Sequence, residues 1–146
     1  MVYSFSFHVP GKPRGAARPR FTRQGHAYTL REDQIYRALV TAKAREAIRS
    51  TRYSGESAQN FRVDIGVFFK IPSSWTKAKK AAALRGEISP SKPDCDNVAK
   101  IILDSLNRLA WEDDSKVSIL TVRKEFSTTY EGVCVVVEAD PTDRGE

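Results

Sequence analysis

The chain has little of what would mark it as secreted, membrane-embedded or cross-linked. Its 146 residues include two cysteines, Cys95 and Cys134, at no metal-type spacing. Two such thiols make no disulfide framework and read as small buried hydrophobes of a reducing compartment. No apolar run approaches the roughly 18–20 residues that a bilayer span requires. The opening MVYSFSFHVPGK has neither the basic start nor the long apolar stretch of a signal peptide. These absences predict a cytoplasmic location and no membrane segment. A chain of this size is expected to form one domain.

Acid is missing from the first part of the chain. Residues 1–31 carry Lys12, Arg14, Arg18, Arg20, Arg23 and Arg31 and no Asp or Glu. Those six cations equal the formal net charge of +6, so the remaining 18 basic and 18 acidic residues cancel. A second basic stretch holds Lys70, Lys77, Lys79, Lys80, Arg85 and Lys92 against the single acid Glu87. Then the sign reverses. Asp94, Asp96, Asp104, Glu112, Asp113 and Asp114 stand against Lys100 and Arg108. An acidic cluster inside a basic protein suggests a divalent-cation site within a surface that binds a polyanion.

Periodicity supplies the coarse architecture. Tyr3, Phe5, Phe7 and Val9 alternate with polar residues and predict a strand, with His8 on its solvated face. Residues 10–31, rich in Pro, Gly and Arg, read as an ordered loop or extended arm. Glu32 to Ser50 fits a helix with Ile35, Leu39, Ala42 and Ala47 as its apolar stripe. Phe61 to Ile71 alternates again, with Phe61, Val63, Ile65, Val67 and Phe69 on one face. A basic helix is expected from Trp75 to about Leu84, capped by Ser74. Asp96 to about Leu109 is apolar on more than one face, so it reads as a buried helix. Val117 to Phe126 and Gly132 to Ala139 are strand-like and predict a hairpin. The order is βαβααββ, which implies a single α/β (α+β) domain over residues 1–140, a mixed sheet covered by helices. Residues 141–146 read as a frayed tail.

The segment Lys92-Pro93-Asp94-Cys95-Asp96-Asn97-Val98-Ala99-Lys100 carries the chemistry. Pro93 biases its predecessor to an extended conformation, which puts Asp94 on a loop and Asp96 near a helix N-cap. Asp96 and Lys100 are four apart and can share a helix face. Trp111-Glu112-Asp113-Asp114 then packs three acids into the turn leaving the helix. Taken singly these are ordinary features, since aspartates cap helices and Asp–Lys pairs decorate surfaces. Taken together they suit Mg²⁺, a hard cation typically held by one or two carboxylates, waters and phosphate oxygens. Such a site would polarise a phosphodiester and activate water. Lys100 would offset developing charge, and the basic segments would hold the backbone.

The ordered set Asp94-x-Asp96-Asn97-x-x-Lys100, Asp104-x-Leu106-Asn107 and Trp111-x-Asp113-Asp114-x-x-Val117 resembles the RusA family of Holliday junction resolvases. Gly11-Lys12-Pro13, Arg18-Pro19-Arg20 and Tyr28-Thr29 are similar to the arm of many of its members. The resemblance implies a homodimer that cuts four-way junctions at symmetric positions with Mg²⁺, for which Mn²⁺ could substitute. It maps the catalytic, metal-binding aspartates onto Asp94, Asp96 and Asp114, and the catalytic lysine onto Lys100. Contacts to DNA are expected from Lys12, Arg14, Arg18, Arg20 and Lys92. The chain departs from the pattern at Arg14-Gly15-Ala16-Ala17, where relatives often carry a lysine, and at Cys95, where they carry an aliphatic residue.

Two other readings compete. Pro93-Asp94 with Asp114-Ser115-Lys116 also satisfies the loose pattern of restriction-type Mg²⁺ nucleases, with Lys116 catalytic and Asp96 dispensable. A non-catalytic branched-DNA-binding module would instead use the aspartates for capping and solvation.

Overall fold

The computed structural model describes residues 3–17, 20–28 and 30–141, the side chains of residues 20, 27, 28 and 141 excepted. The masked stretch 142–146 takes in nearly all of the expected tail, which therefore lies outside the described residues, as does Arg18.

The elements follow the expected order with two additions, a strand pair in the arm and a 3-10 turn before β5. Strand β1 spans Ser4–Pro10, and the arm forms a minimal antiparallel pair, β2 (Arg20–Phe21) and β3 (Ala27–Tyr28). Helix α1 covers Arg31–Thr51, β4 Ala58–Lys70, α2 Lys77–Leu84 and α3 Cys95–Leu106. A 3-10 turn at Asp114–Lys116 leads into β5 (Val117–Ser127), and β6 (Gly132–Pro141) ends the described chain. The main sheet is mixed, with strand order β1-β6-β4-β5. Pairs β1–β6 and β4–β6 are antiparallel, whereas β4–β5 is parallel.

Alternation places the core on one face of this sheet. Phe5, Phe7 and Val9 of β1, Phe61, Val63, Ile65 and Val67 of β4, and Val133, Val135 and Val137 of β6 are buried. Helices α1 and α3 cover them, supplying Tyr36, Val40 and Ala44, and Val98, Ile101, Ile102 and Leu106. The opposite face keeps polar residues such as Ser4, Ser6, His8 and Arg62 exposed. His8 stands where the alternation predicts. Cys95 and Cys134 are free and half-buried, less enclosed than expected.

Three expectations are corrected. The stripe of α1 is rotated: Ile35 is 60% and Leu39 39% exposed, while Tyr36, Val40 and Ala44 face the core. That second stripe runs i, i+4, i+8, and its small members let α1 approach α3, where Thr41 Oγ1 donates to the Ser105 carbonyl at 2.9 Å. Strands β5 and β6 form no hairpin, because β4 lies between them. β6 carries three fully buried valines, which suit an interior strand, whereas most of β5 is exposed or half-buried, as an edge strand is. The connection steps over the end of β4, where the Lys70 amide donates to Glu131 Oε2. Gly132 is required there, since a Cβ would lie 2.6 Å from the Val9 carbonyl oxygen. Finally, α2 is capped by Thr76, whose side chain accepts from the Lys79 amide, and not by Ser74. Trp75 stays outside the helix and packs edge-on against Phe126 at 5.2 Å.

The rotation of α1 is testable in dilute protein by urea titration. Val40→Ala should cost about 2 kcal/mol, because it empties a fully enclosed site. Leu39→Ala should cost less than about 1 kcal/mol. The reverse ranking would restore the Ile35–Leu39 stripe to the core.

Candidate active site

Helix α3 begins at Cys95, one residue before the expected start, and its N-cap is Asp94 in place of Asp96. Asp94 occupies the N-cap with an extended backbone, its carbonyl accepting from the Val98 amide at 3.1 Å. Its side chain makes no cap hydrogen bond. Instead Lys92 Nζ donates to both carboxylate oxygens, at 3.1 and 3.2 Å. Asp96 lies in the first turn, where Oδ1 accepts from the Asn97 amide at 3.0 Å.

Asp96, Lys100 and Asp104 then follow at i, i+4 and i+8 along the side of α3 that the core does not use. With Asp114, Val117 and Leu120 they line an open cleft of about 380 Å³. Asp104 Oδ2 is shared by two cations, Arg37 Nη1 of α1 at 3.1 Å and Lys100 Nζ at 3.3 Å. Lys100 is thus tethered at the cleft while its ammonium stays accessible.

The pair Asp113-Asp114 divides its work. Asp113 caps the 3-10 turn, accepting from the Ser115 amide at 3.0 Å. Hydrogen bonds from Ser115, side chain first and then backbone, hold the Asp113 carboxyl below the usual carboxylate range. Asp114 is left to line the cleft. Lys116 does not line it. It borders a separate and larger cavity of about 460 Å³ with Arg108, Trp111 and Glu112, its Nζ 4.0 Å from Glu112 Oε2. Size alone would favour that cavity, but the carboxylates named by the sequence do not gather there.

Asp94 stands next to the cleft, not in it. It lines a depression of about 410 Å³ with Lys12, Arg14, Gly15, Lys92 and Asn97 among others. Among the described residues no three His, Cys, Asp or Glu side chains stand close enough to hold a metal ion. The donor set nonetheless suits Mg²⁺, which needs only one or two carboxylates when waters and phosphate oxygens complete its shell. Asp96 and Asp114 offer two.

The arm residues divide likewise. Lys12 and Lys92 are exposed beside Asp94. Arg14 is 34% exposed, and its Nε donates to the buried Asp33 at 2.6 Å. Arg20 belongs to β2, with its side chain undescribed.

Several positioning residues escape the sequence reading. Asp33, 1% exposed, also accepts from the Ala17 amide at 2.9 Å, so one buried carboxylate fastens the arm to α1. The Ala16 amide donates to the Asn97 carbonyl at 2.9 Å, joining the arm to α3. Lys124 Nζ donates to the carbonyls of Ser91 and Pro93, at 2.9 and 3.2 Å, and pins the loop that carries Lys92. One signal was available: Lys124 interrupts the register Leu120, Val122, Phe126 with a charge.

Gly15 sits where the arm crosses this loop. An added Cβ would lie 2.9 Å from the Cβ atoms of both Asn97 and Pro93. Gly15→Ala should therefore lower stability by about 1–3 kcal/mol through overpacking. Asp33→Ala should cost about 2 kcal/mol, the scale of charged hydrogen bonds lost, and should speed protease cleavage within the arm. Thermal melts and limited proteolysis check both. Unchanged digestion of the Asp33 variant would detach the arm from this anchor.

Residues 10–138 match the family described as Endodeoxyribonuclease RusA. The chain is also similar to the "Uncharacterized protein YqaN" of Bacillus subtilis (strain 168), with 32% identity over 127 residues, 83% of this chain and 87% of the relative. The family match spans the arm residues from Lys12 onward, the whole of α3 and the turn that carries Asp114. The chain belongs to the RusA family of endodeoxyribonucleases.

Proposed function

We propose that this chain is a Mg²⁺-dependent, structure-specific endonuclease that resolves four-way DNA junctions in the cytoplasm by paired symmetric nicks. The observation that carries the reading is the convergence of Asp96, Lys100 and Asp114 on one cleft in a chain of this family. Asp96 and Asp114 would hold the ion, Mg²⁺ or in its place Mn²⁺, with Asp94 joining from the adjacent depression. When bound, the ion supplies charge to the scissile phosphate and lowers the pKa of a water that attacks it.

The chain's own residues do the rest. Lys100, tethered by Asp104, offsets charge that develops on the phosphate oxygens. Lys12 and Lys92 hold the backbone beside Asp94, with Arg14, Arg18 and Arg20 extending the contact along the arm. Two matched nicks in a four-armed substrate call for two identical sites, which a symmetric homodimer provides.

The alternatives lose support. A restriction-type site needs Lys116, which borders a different cavity. A capping role for the aspartates accounts for Asp113, but not for Asp94, which makes no cap bond, nor for Asp96 and Asp114.

Cleavage of a synthetic four-way junction against a matched duplex, in Mg²⁺ and in EDTA, tests the reading. Paired nicks on the junction alone are expected, abolished by Asp96→Asn. Lys100→Ala should slow cutting by about 10²-fold or more, the scale of a lost electrostatic stabiliser, while Lys116→Ala should stay within a few-fold of wild type. Equal cutting of duplex removes the junction specificity. Binding without any product removes the enzyme.

A further inference from the structure

Helix α2 carries a second run of cations, separate in sequence from the arm. Its helix and preceding turn contain Lys77, Lys79 and Lys80 and no acid. The one acid between Lys70 and Lys92 is Glu87, and it is held by Arg85 through two hydrogen bonds of 3.1 and 2.9 Å. No ion pair engages the three lysines among the described residues. Lys77 and Lys79 are exposed and Lys80 is half-buried. Lys79 Nζ lies 4.1 Å from the centroid of the Trp75 ring, a contact that leaves its charge unneutralised.

The surface also stands in a fixed relation to the cleft. Leu120 lines the cleft, and Phe126 carries Trp75 at the start of α2. Both lie on the helix-covered face of β5, six residues apart, which is roughly 20 Å at strand rise. Between them Lys124 pins the loop bearing the exposed Lys92. Cations therefore follow one another from Lys100 to Lys92 to α2 along a single side of the molecule.

We propose that α2 grips the phosphate backbone of a duplex arm roughly six base pairs from the scissile phosphate, the number that about 20 Å spans at 3.4 Å per phosphate. This rests on the nuclease reading above and adds to it the path by which one arm leaves the cleft. Lys77 and Lys79 contact phosphate directly, and Lys80 adds to the field.

The test is binding of the full-length chain to a four-way junction with arms of about 20 base pairs, measured in Ca²⁺ across a salt series. The variant Lys77→Ala/Lys79→Ala/Lys80→Ala should bind about tenfold or more weakly, and its slope of log affinity against log salt should fall by about 2–3. Because Lys80 is half-buried, Lys77→Ala/Lys79→Ala is run beside it with a thermal melt, and a fall of about 2 is expected. Lys77→Arg/Lys79→Arg should restore the slope. Methylphosphonate linkages roughly six base pairs from the scissile phosphate should weaken the wild type and leave the alanine variants unaffected. Wild-type binding with an unchanged slope in folded alanine variants overturns the surface and leaves the nuclease reading intact. A wild type that cuts the junction, yet is indifferent to those linkages, overturns the proposed path. A wild type that does not bind the junction overturns both.

Discussion

The candidate site depends on how α3 is held. Val98, Ile101, Ile102 and Leu106 are all fully buried between α1 and the sheet. Burial of four such side chains contributes on the order of 6–10 kcal/mol, an upper figure because the unfolded chain already hides part of that surface. Exposed carboxylates about two helical turns apart repel by well under 1 kcal/mol in water. Packing therefore decides the rotation of the helix about its axis. The polar series Asp96, Lys100 and Asp104 is left with one direction to face, across to the turn that carries Asp114.

Around this helix, charged residues act first as fasteners for other charged residues. Asp33 holds Arg14 and the arm, Lys124 holds the loop that bears Lys92, and Arg37 with Asp104 holds Lys100. Each fastener is at least partly enclosed, while most groups it positions reach solvent. Enclosure strengthens such bonds, because an ion pair in water is worth little. The division separates residues that set geometry from residues free to meet a polyanion.

The sequence was most legible where a pattern is local and long. The alternation in β1 and β4 marked the right inward faces, and α3 was apolar enough to be recognised as buried. Asp96 and Lys100 shared a face because their spacing is helical. What failed was non-local. Helix α1 carries two apolar stripes, and only the close approach of α3 selects Tyr36, Val40 and Ala44 over Ile35 and Leu39. Two consecutive strands with a short connection look like a hairpin until β4, some fifty residues earlier, inserts between them. Asp33 went unnoticed, since nothing nearby in the chain announces Arg14, nineteen residues before it, as its partner.

The openness of the cleft follows from its charges. Arg37 and Lys100 both engage Asp104. Among the described residues Asp96 and Asp114 have no ion pair at all. Two unneutralised carboxylates are tolerable where water screens them, at a cost of about 1 kcal/mol or less at close range. The same pair under a low-dielectric cover would cost several-fold more. A DNA strand laid across the cleft would displace that water and bring further negative charge. The carboxylates then become a liability unless a cation enters with the phosphate, and one that takes oxygen ligands and keeps its own waters answers the need. On the function proposed above, this spread-out arrangement, with no closed cage among the described residues, would suit a metal ion whose last ligands come from the substrate.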